Sequence, residues 1–268
     1  MLLTVDGHPA YAYTGGKAFD ATLPTVVFIH GAQHDHSVWI LQSRYLAHHG
    51  YSVLALDLPG HVRSSGAPLT SVEGMAVWIV ALLDAAGVRQ AALVGHSMGS
   101  LIAIETAGIA PERVTKLALI GTAVPMKVGP DLLTATRDDE PLAQDMVNIW
   151  SHSTYAAKPS NPGPGFWIVG SNLRLMQRIK PGAMHADFNA CNTYLRGLER
   201  AAAISCPTLL VLGSDDVMTQ PRAARDLQAA LKQARSVSIP ACGHSLMAER
   251  PDAVLDALTG FLPHRQQA

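Results

Sequence analysis

Cysteine is scarce in this chain. Cys191, Cys206 and Cys242 form an odd set without paired spacing, which argues against a disulfide framework. A reducing compartment, the cytoplasm, is therefore the expected location. Charge is also sparse: 15% of residues are charged and the formal net charge is -1. Nothing resembles the clustered basic face that binds nucleic acid. No apolar run approaches the roughly 20 residues of a membrane span, so no membrane partner is expected. The first residues, Met1 to Asp6, lack the basic and apolar regions of a signal peptide. There is no internal repeat, no low-complexity tract and no phosphate loop, since Gly16-Lys17-Ala18 lacks the hydroxyl residue and the spacing. No heptad or exposed stripe speaks to oligomeric state.

What is present is apolar substance. Hydrophobic residues make up 48% of the 268, enough for a sizeable core. The length suits one α/β domain carrying an inserted segment. Short apolar runs stand at Thr25–Ile29, Val53–Leu56, Ala91–Val94, Leu117–Ile120, Thr208–Leu212 and Ser236–Ile239. Continuous runs of this kind suit parallel strands covered on both faces. Helical patterns lie near 37–49, 72–86, 98–110, 221–234 and 251–262, with Ser71 as a cap and Pro251 in a first turn. Strand–helix alternation predicts a doubly wound, mostly parallel sheet. Residues 2–14 are expected to add an antiparallel hairpin at one edge. The rhythm breaks after Gly121. Only helical patterns, at 139–150 and 165–179, appear before Ala203, separated by the breaker cluster Asn161-Pro162-Gly163-Pro164-Gly165. About 80 residues are too many for a plain loop. The division expected is a core of residues 1–122 and 204–268 and a helical cap of 123–203.

Gly95-His96-Ser97-Met98-Gly99 matches G-x-S-x-G between a buried strand and a buried helix, the context that motif requires. His30-Gly31-Ala32, Gly213-Ser214-Asp215-Asp216 and Gly243-His244 each follow a strand, at the sheet edge where ligands bind in open α/β folds. Together with Asp57-Leu58-Pro59-Gly60-His61, these segments resemble the α/β-hydrolase superfamily, in its serine-nucleophile branch with a helical cap. The resemblance covers nearly the whole chain. Val62 departs from it, where many members have a second glycine after Gly60-His61.

The resemblance implies a triad of Ser97, an acid and His244. A serine hydroxyl is a weak nucleophile, so a base must take its proton, and an imidazole titrates in the useful range. The acid orients that imidazole and stabilises its charged form. Asp215 and Asp216 compete for the role, and the family's G-x-x-D pattern favours Asp216. The oxyanion needs preorganised N–H donors, expected from the backbone of Ala32 and Met98. Gln33, His34, Trp150, Trp167, Met176 and Val217 are candidates for lining the substrate pocket, with Phe166 and Met184 as further roof residues. The cluster His30, His34, Asp35 and His36 invites a metal, but it has no following ligand set, so neither metal nor cofactor is expected. The expected activity is hydrolysis of small to medium carboxylic esters with an apolar part, through an acyl-serine. The alternatives are carbon–carbon bond, amide or lactone hydrolysis or peracid formation with the same triad, and a non-catalytic ligand-binding role.

Overall fold

The apolar runs become strands because each is short, continuous in aliphatic or β-branched side chains, and bounded by a turn former. The computed structural model describes residues 1–158, 161 and 166–262. Strands β1 (Leu2–Val5) and β2 (His8–Tyr13) pair as an antiparallel hairpin. Then follow β3 (Thr25–Ile29), α1 (Ile40–His48), β4 (Ser52–Leu56), α2 (Val72–Ala85), β5 (Ala91–His96), α3 (Met98–Ile109) and β6 (Val114–Ile120). Among the described residues, the next elements are all helices: α4 (Pro130–Asp138), α5 (Glu140–Trp150), α6 (Ile168–Met176), α7 (Ala183–Thr193) and α8 (Gly197–Ala203). After them come β7 (Thr208–Gly213), α9 (Arg225–Ala230), β8 (Ala234–Ile239), α10 (Leu246–Glu249) and α11 (Pro251–Thr259).

The sheet has 8 strands in the order β1-β2-β4-β3-β5-β6-β7-β8. It is parallel from β4 to β8, and the hairpin joins antiparallel through β2 on β4. Alternate side chains of one strand enter opposite layers. Val27 and Ile29 of β3 join the layer containing α2 and α3, while Val26 and Phe28 join the layer containing α1 and α11. From β3 to β7 both faces are covered over most of their length, which is why those strands read as apolar; β8, expected to be covered too, lies at the sheet edge with Ser236, Val237 and Ser238 exposed. Helix α3 is buried over most of its length, with Leu101, Ile102 and Ile104 fully enclosed. Each such side chain contributes roughly 1.5–3 kcal/mol of burial, so the helix that starts at Met98 is firmly seated.

Several boundaries differ from the sequence pattern. The stretch 221–234 yields only a 3-10 turn at Pro221–Ala224 and the short α9, because Ala234 already opens β8. Helix α11 stops at Thr259. The helical pattern at 165–179 shortens to α6, and residues 162–165 of the breaker cluster lie outside the described residues. Helices α4, α7 and α8 have no counterpart in the pattern. In α7 a buried Asp187 interrupts the apolar stripe formed by Met184, Phe188 and Cys191, which hides its periodicity. Ser71 caps α2, its side chain accepting from the Gly74 N–H. Among the described residues, no helix is long and apolar enough to cross a membrane.

Candidate active site

Ser97 stands between the last residue of β5 and the first of α3, at φ 51° and ψ -119°. A non-glycine residue held there costs on the order of 1–3 kcal/mol, so the surroundings must impose it. The Ser97 N–H donates to the Ile120 carbonyl at 2.9 Å, and the Ser97 carbonyl accepts from Ser100 N–H at 2.8 Å. The flanking glycines explain the rest of the motif. A Cβ at Gly95 would lie 2.1 Å from the Gly99 oxygen, and one at Gly99 would lie 2.3 Å from the Ile29 oxygen. Strand, turn and helix therefore approach each other more closely than any side chain permits.

His244 lies in the loop between β8 and α10. Its Nδ1 is 2.8 Å from Asp216 Oδ2, in the loop after β7. Both side chains are buried. Asp216 Oδ1 accepts from the Met218 and Thr219 N–H groups, each at 2.8 Å, and Oδ2 accepts the Thr219 hydroxyl at 2.7 Å. Burial alone would push the Asp216 carboxyl up. The His244 charge, its hydrogen bond and those from Thr219 outweigh burial and hold the pKa below its ordinary value. The Asp216 carboxylate is therefore an acceptor for an N–H at His244 Nδ1. Asp215, its neighbour, is exposed and takes the Ser214 hydroxyl at 2.7 Å.

The His244 backbone is clamped from three sides. His96 Nε2 donates to the His244 carbonyl at 2.8 Å, Gly243 N–H donates to the buried Glu249 at 3.1 Å, and Ser245 N–H donates to the Ser151 carbonyl at 2.8 Å. Glu249 also accepts from Ser153 N–H at 3.1 Å. Sequence reasoning missed these supports. Thr219 had a faint signal: an Asp followed at the third position by Thr suits a carboxylate-capped turn. His96 and Glu249 had none, because their partners are distant in sequence.

Ser97, His244 and Ala32 line one cavity of about 390 Å³. Ser97 and His244 share its wall without a direct hydrogen bond, and catalytic contacts of this kind commonly close only around substrate. The loop after β3 runs close by: a Cβ at Gly31 would lie 3.2 Å from that of Ser97. The structure thus brings Ala32 and Ser97 to the same cavity. The Met98 side chain is fully buried and does not line the cavity.

Of the six expected lining residues, Trp150 and Val217 border this cavity. The other four do not. Gln33 is fully buried and its amide bonds the Met176 carbonyl at 3.0 Å. Met176 is itself fully buried in the core, as is Met184. His34 bonds Asn172 at 2.8 Å and borders a second cavity of about 400 Å³ together with Phe166. Trp167 is 72% exposed, its indole lying over Gly170. The cavity is instead walled by Met126, Val128, Leu132 and Phe188 from the stretch between β6 and β7. That stretch shows no strand pattern, so its contacts could not be ordered by sequence alone.

The histidine-rich loop does not converge on one point. His30 Nε2 accepts from Leu58 N–H at 3.1 Å and its Nδ1 meets the Gly31 carbonyl at 2.8 Å. Burial, with repulsion from His61, lowers the His30 pKa to about 3. Burial likewise lowers His34 and, helped by His244, His96. The group that does come together is Asp35, His36 and Asp57, with ligand atoms within 4.8 Å of one another. There Asp57 accepts from His36 Nδ1 at 2.7 Å and Asp35 caps the turn at Ser37, so local pairing accounts for them. All three cysteines are free thiols.

A sequence model described as "alpha/beta hydrolase fold" matches residues 24–251. The chain is 28% identical over 257 residues to "Putative carbamate hydrolase RutD" of Klebsiella pneumoniae (strain 342), covering 90% of this chain and 93% of that protein. It is 25% identical over 257 residues to "sn-1-specific diacylglycerol lipase ABHD11" of Mus musculus, covering 91% and 82%. Among solved structures, "Est816 as an N-Acyl homoserine lactone degrading enzyme" superposes with a TM-score of 0.83 at 25% identity, covering 98% of this chain and 100% of that one.

Proposed function

We propose that this chain, which belongs to the α/β-hydrolase fold family, cleaves small to medium carboxylic esters through an acyl-Ser97 intermediate. The observation that carries the reading is the joint placement of Ser97 on its strained turn and the Asp216-paired His244 at one apolar cavity. Ser97 Oγ attacks the carbonyl carbon while His244 Nε2 takes its proton. The Asp216 carboxylate stabilises the imidazolium that forms. The N–H groups of Ala32 and Met98 meet the oxygen that turns negative; one such donor is typically worth about 10²–10³ in rate. His244 then protonates the departing alkoxide, leaving acyl-Ser97 for attack by water through the same base.

A cavity of about 390 Å³ with apolar walls suits a compact apolar acyl or aromatic group. Residues 123–203 serve as the cap in this reading, because Met126, Leu132, Trp150 and Phe188 come from it. The free thiols support a cytoplasmic location. A second reading, lactone opening, is favoured by the likeness to Est816, an N-acyl homoserine lactone degrading enzyme; the same steps apply with the leaving alkoxide tethered. The test is Ser97→Ala against p-nitrophenyl acetate, butyrate and octanoate, beside a simple lactone. Loss of at least about 10³-fold on the preferred ester is expected. Retained activity would sink the proposal, and a lactone preferred over every ester would move it to the second reading.

A further inference from the structure

Gln33 follows Ala32 and does not face the cavity, yet the structure engages it from three helices. Its N–H donates to Asp187 Oδ2 of α7 at 2.9 Å. Its side-chain Nε2 donates to the Met176 carbonyl at the end of α6 at 3.0 Å, and to Glu140 Oε1 at the start of α5 at 3.3 Å. Gln33 also holds a left-handed backbone, φ 57°, which a glutamine adopts only under constraint. Asp187 Oδ2 is in turn 3.0 Å from His61 Nε2, in the loop after β4. Gln33, Asp187 and His61 are essentially inaccessible to solvent. Burial would lower the His61 pKa, but the Asp187 charge and hydrogen bond outweigh it and raise it above the ordinary histidine value.

We propose that Gln33 and Asp187 are positioning residues for the oxyanion site: the helices between β6 and β7 hold the turn that presents the Ala32 N–H to the reacting carbonyl. The chain of force is short. The loop after β3 turns at Gly31–His34, closed by a 3.3 Å bond from His34 N–H to the Gly31 carbonyl. Ala32 sits inside that turn, and its N–H direction is set by the peptide plane it shares with Gly31. The bonds at Gln33 fix the next peptide plane. Releasing them lets the turn relax toward negative φ and swings the Ala32 donor. Hydrogen bonds weaken steeply with misalignment, so a small rotation matters most where charge develops. Substrate binding and transition-state binding then separate: the first uses the cavity walls, the second uses the donor.

This inference rests on the proposed roles of Ser97 and Ala32. It is tested with Asp187→Ala, which removes the acceptor shared by Gln33 and His61, and with Gln33→Gly. Glycine adopts φ 57° freely, so Gln33→Gly folds while losing the side-chain anchor. Asp187→Asn is the conservative control, since an amide oxygen still accepts the Gln33 N–H. Each variant is titrated to completion with a fluorophosphonate, so that rates refer to competent Ser97. The expected result is a fall in kcat of about 10–100-fold for Asp187→Ala and Gln33→Gly, a part of the loss seen when a whole oxyanion donor is removed. KM should stay within about threefold, and the Ki of a trifluoromethyl ketone matching the acyl group should rise by the same factor as kcat falls. Asp187→Asn should stay close to the parent. Unchanged kcat and Ki in both variants would overturn the inference, as would a kcat loss with no change in Ki. If Ser97→Ala itself remains active, the reading of the whole site fails; if it is dead while both variants match the parent, only this inference fails.

Discussion

Replacing Asp216 by asparagine separates the orienting role proposed for this acid from its contribution to folding. An asparagine oxygen can keep the two 2.8 Å bonds from the Met218 and Thr219 N–H groups. What changes is the face toward His244. An amide NH₂ now meets Nδ1, 2.8 Å from the Asp216 oxygen it replaces. The imidazole answers by placing its proton on Nε2, and the base is lost. A tautomer fault of this kind in serine hydrolases lowers kcat by about 10⁴, or roughly 5.5 kcal/mol of transition-state stabilisation. The stability cost is far smaller. One or two hydrogen bonds weaken, for about 1–2 kcal/mol, which corresponds to a Tm lowered by roughly 2–4 °C in a chain of this size. The assay measures kcat on a p-nitrophenyl ester and Tm on the same preparation, with Asp215→Asn beside it. The Asp215 side chain is exposed and bonds only the neighbouring Ser214, so its variant should stay within about twofold of the parent. A kcat for Asp216→Asn within tenfold of the parent, in folded protein, would refute the reasoning. So would a larger loss for Asp215→Asn.

Further outcomes follow from the same structure. His30 is neutral in the folded chain, with a pKa of about 3, whereas an unfolded histidine titrates near 6.5. Stability contributed by its neutral form is therefore complete above about pH 6.5 and is lost as pH falls toward 3, at up to about 1.4 kcal/mol per pH unit. Urea unfolding between pH 7 and 4 should show a shallower loss in His30→Gln than in the parent; parallel slopes would contradict this. Gly99→Ala places a methyl 2.3 Å from the Ile29 oxygen and should destabilise by about 3 kcal/mol or prevent folding, read by urea midpoint or soluble yield. Arg200 meets Glu105, 1% exposed, at 2.9 Å, and Tyr194 donates to the same carboxylate at 2.7 Å. Arg200→Ala strands that buried charge and should cost about 3 kcal/mol in urea unfolding while leaving kcat unchanged.

The centre of the sheet was legible because its strands are buried on both faces and each ends at a turn former; Thr25–Ile29 reads directly as β3. The turn that carries Ser97, the proposed nucleophile, was legible because close backbone approach forces glycine at 95 and 99, and that requirement is local. Asp216 was harder, since two adjacent carboxylates fit one loop and only the folded turn separates a buried one from an exposed one. The cavity walls were least legible. Met176 and Val128 look alike in sequence, and only the packing of five helices makes one core and the other lining. Gln33 reads in sequence as a pocket residue, yet its backbone is left-handed and its side chain lies wholly inside the protein.

The central claim is that Ser97 is the acylated nucleophile, and covalent labelling tests it most directly. Intact-mass measurement with a fluorophosphonate, followed by peptide mapping, should show one adduct per chain on the Ser97 peptide. Labelling should vanish in Ser97→Ala and slow by orders of magnitude in Asp216→Asn. Folded protein that takes up no label, or takes it elsewhere, would contradict the account.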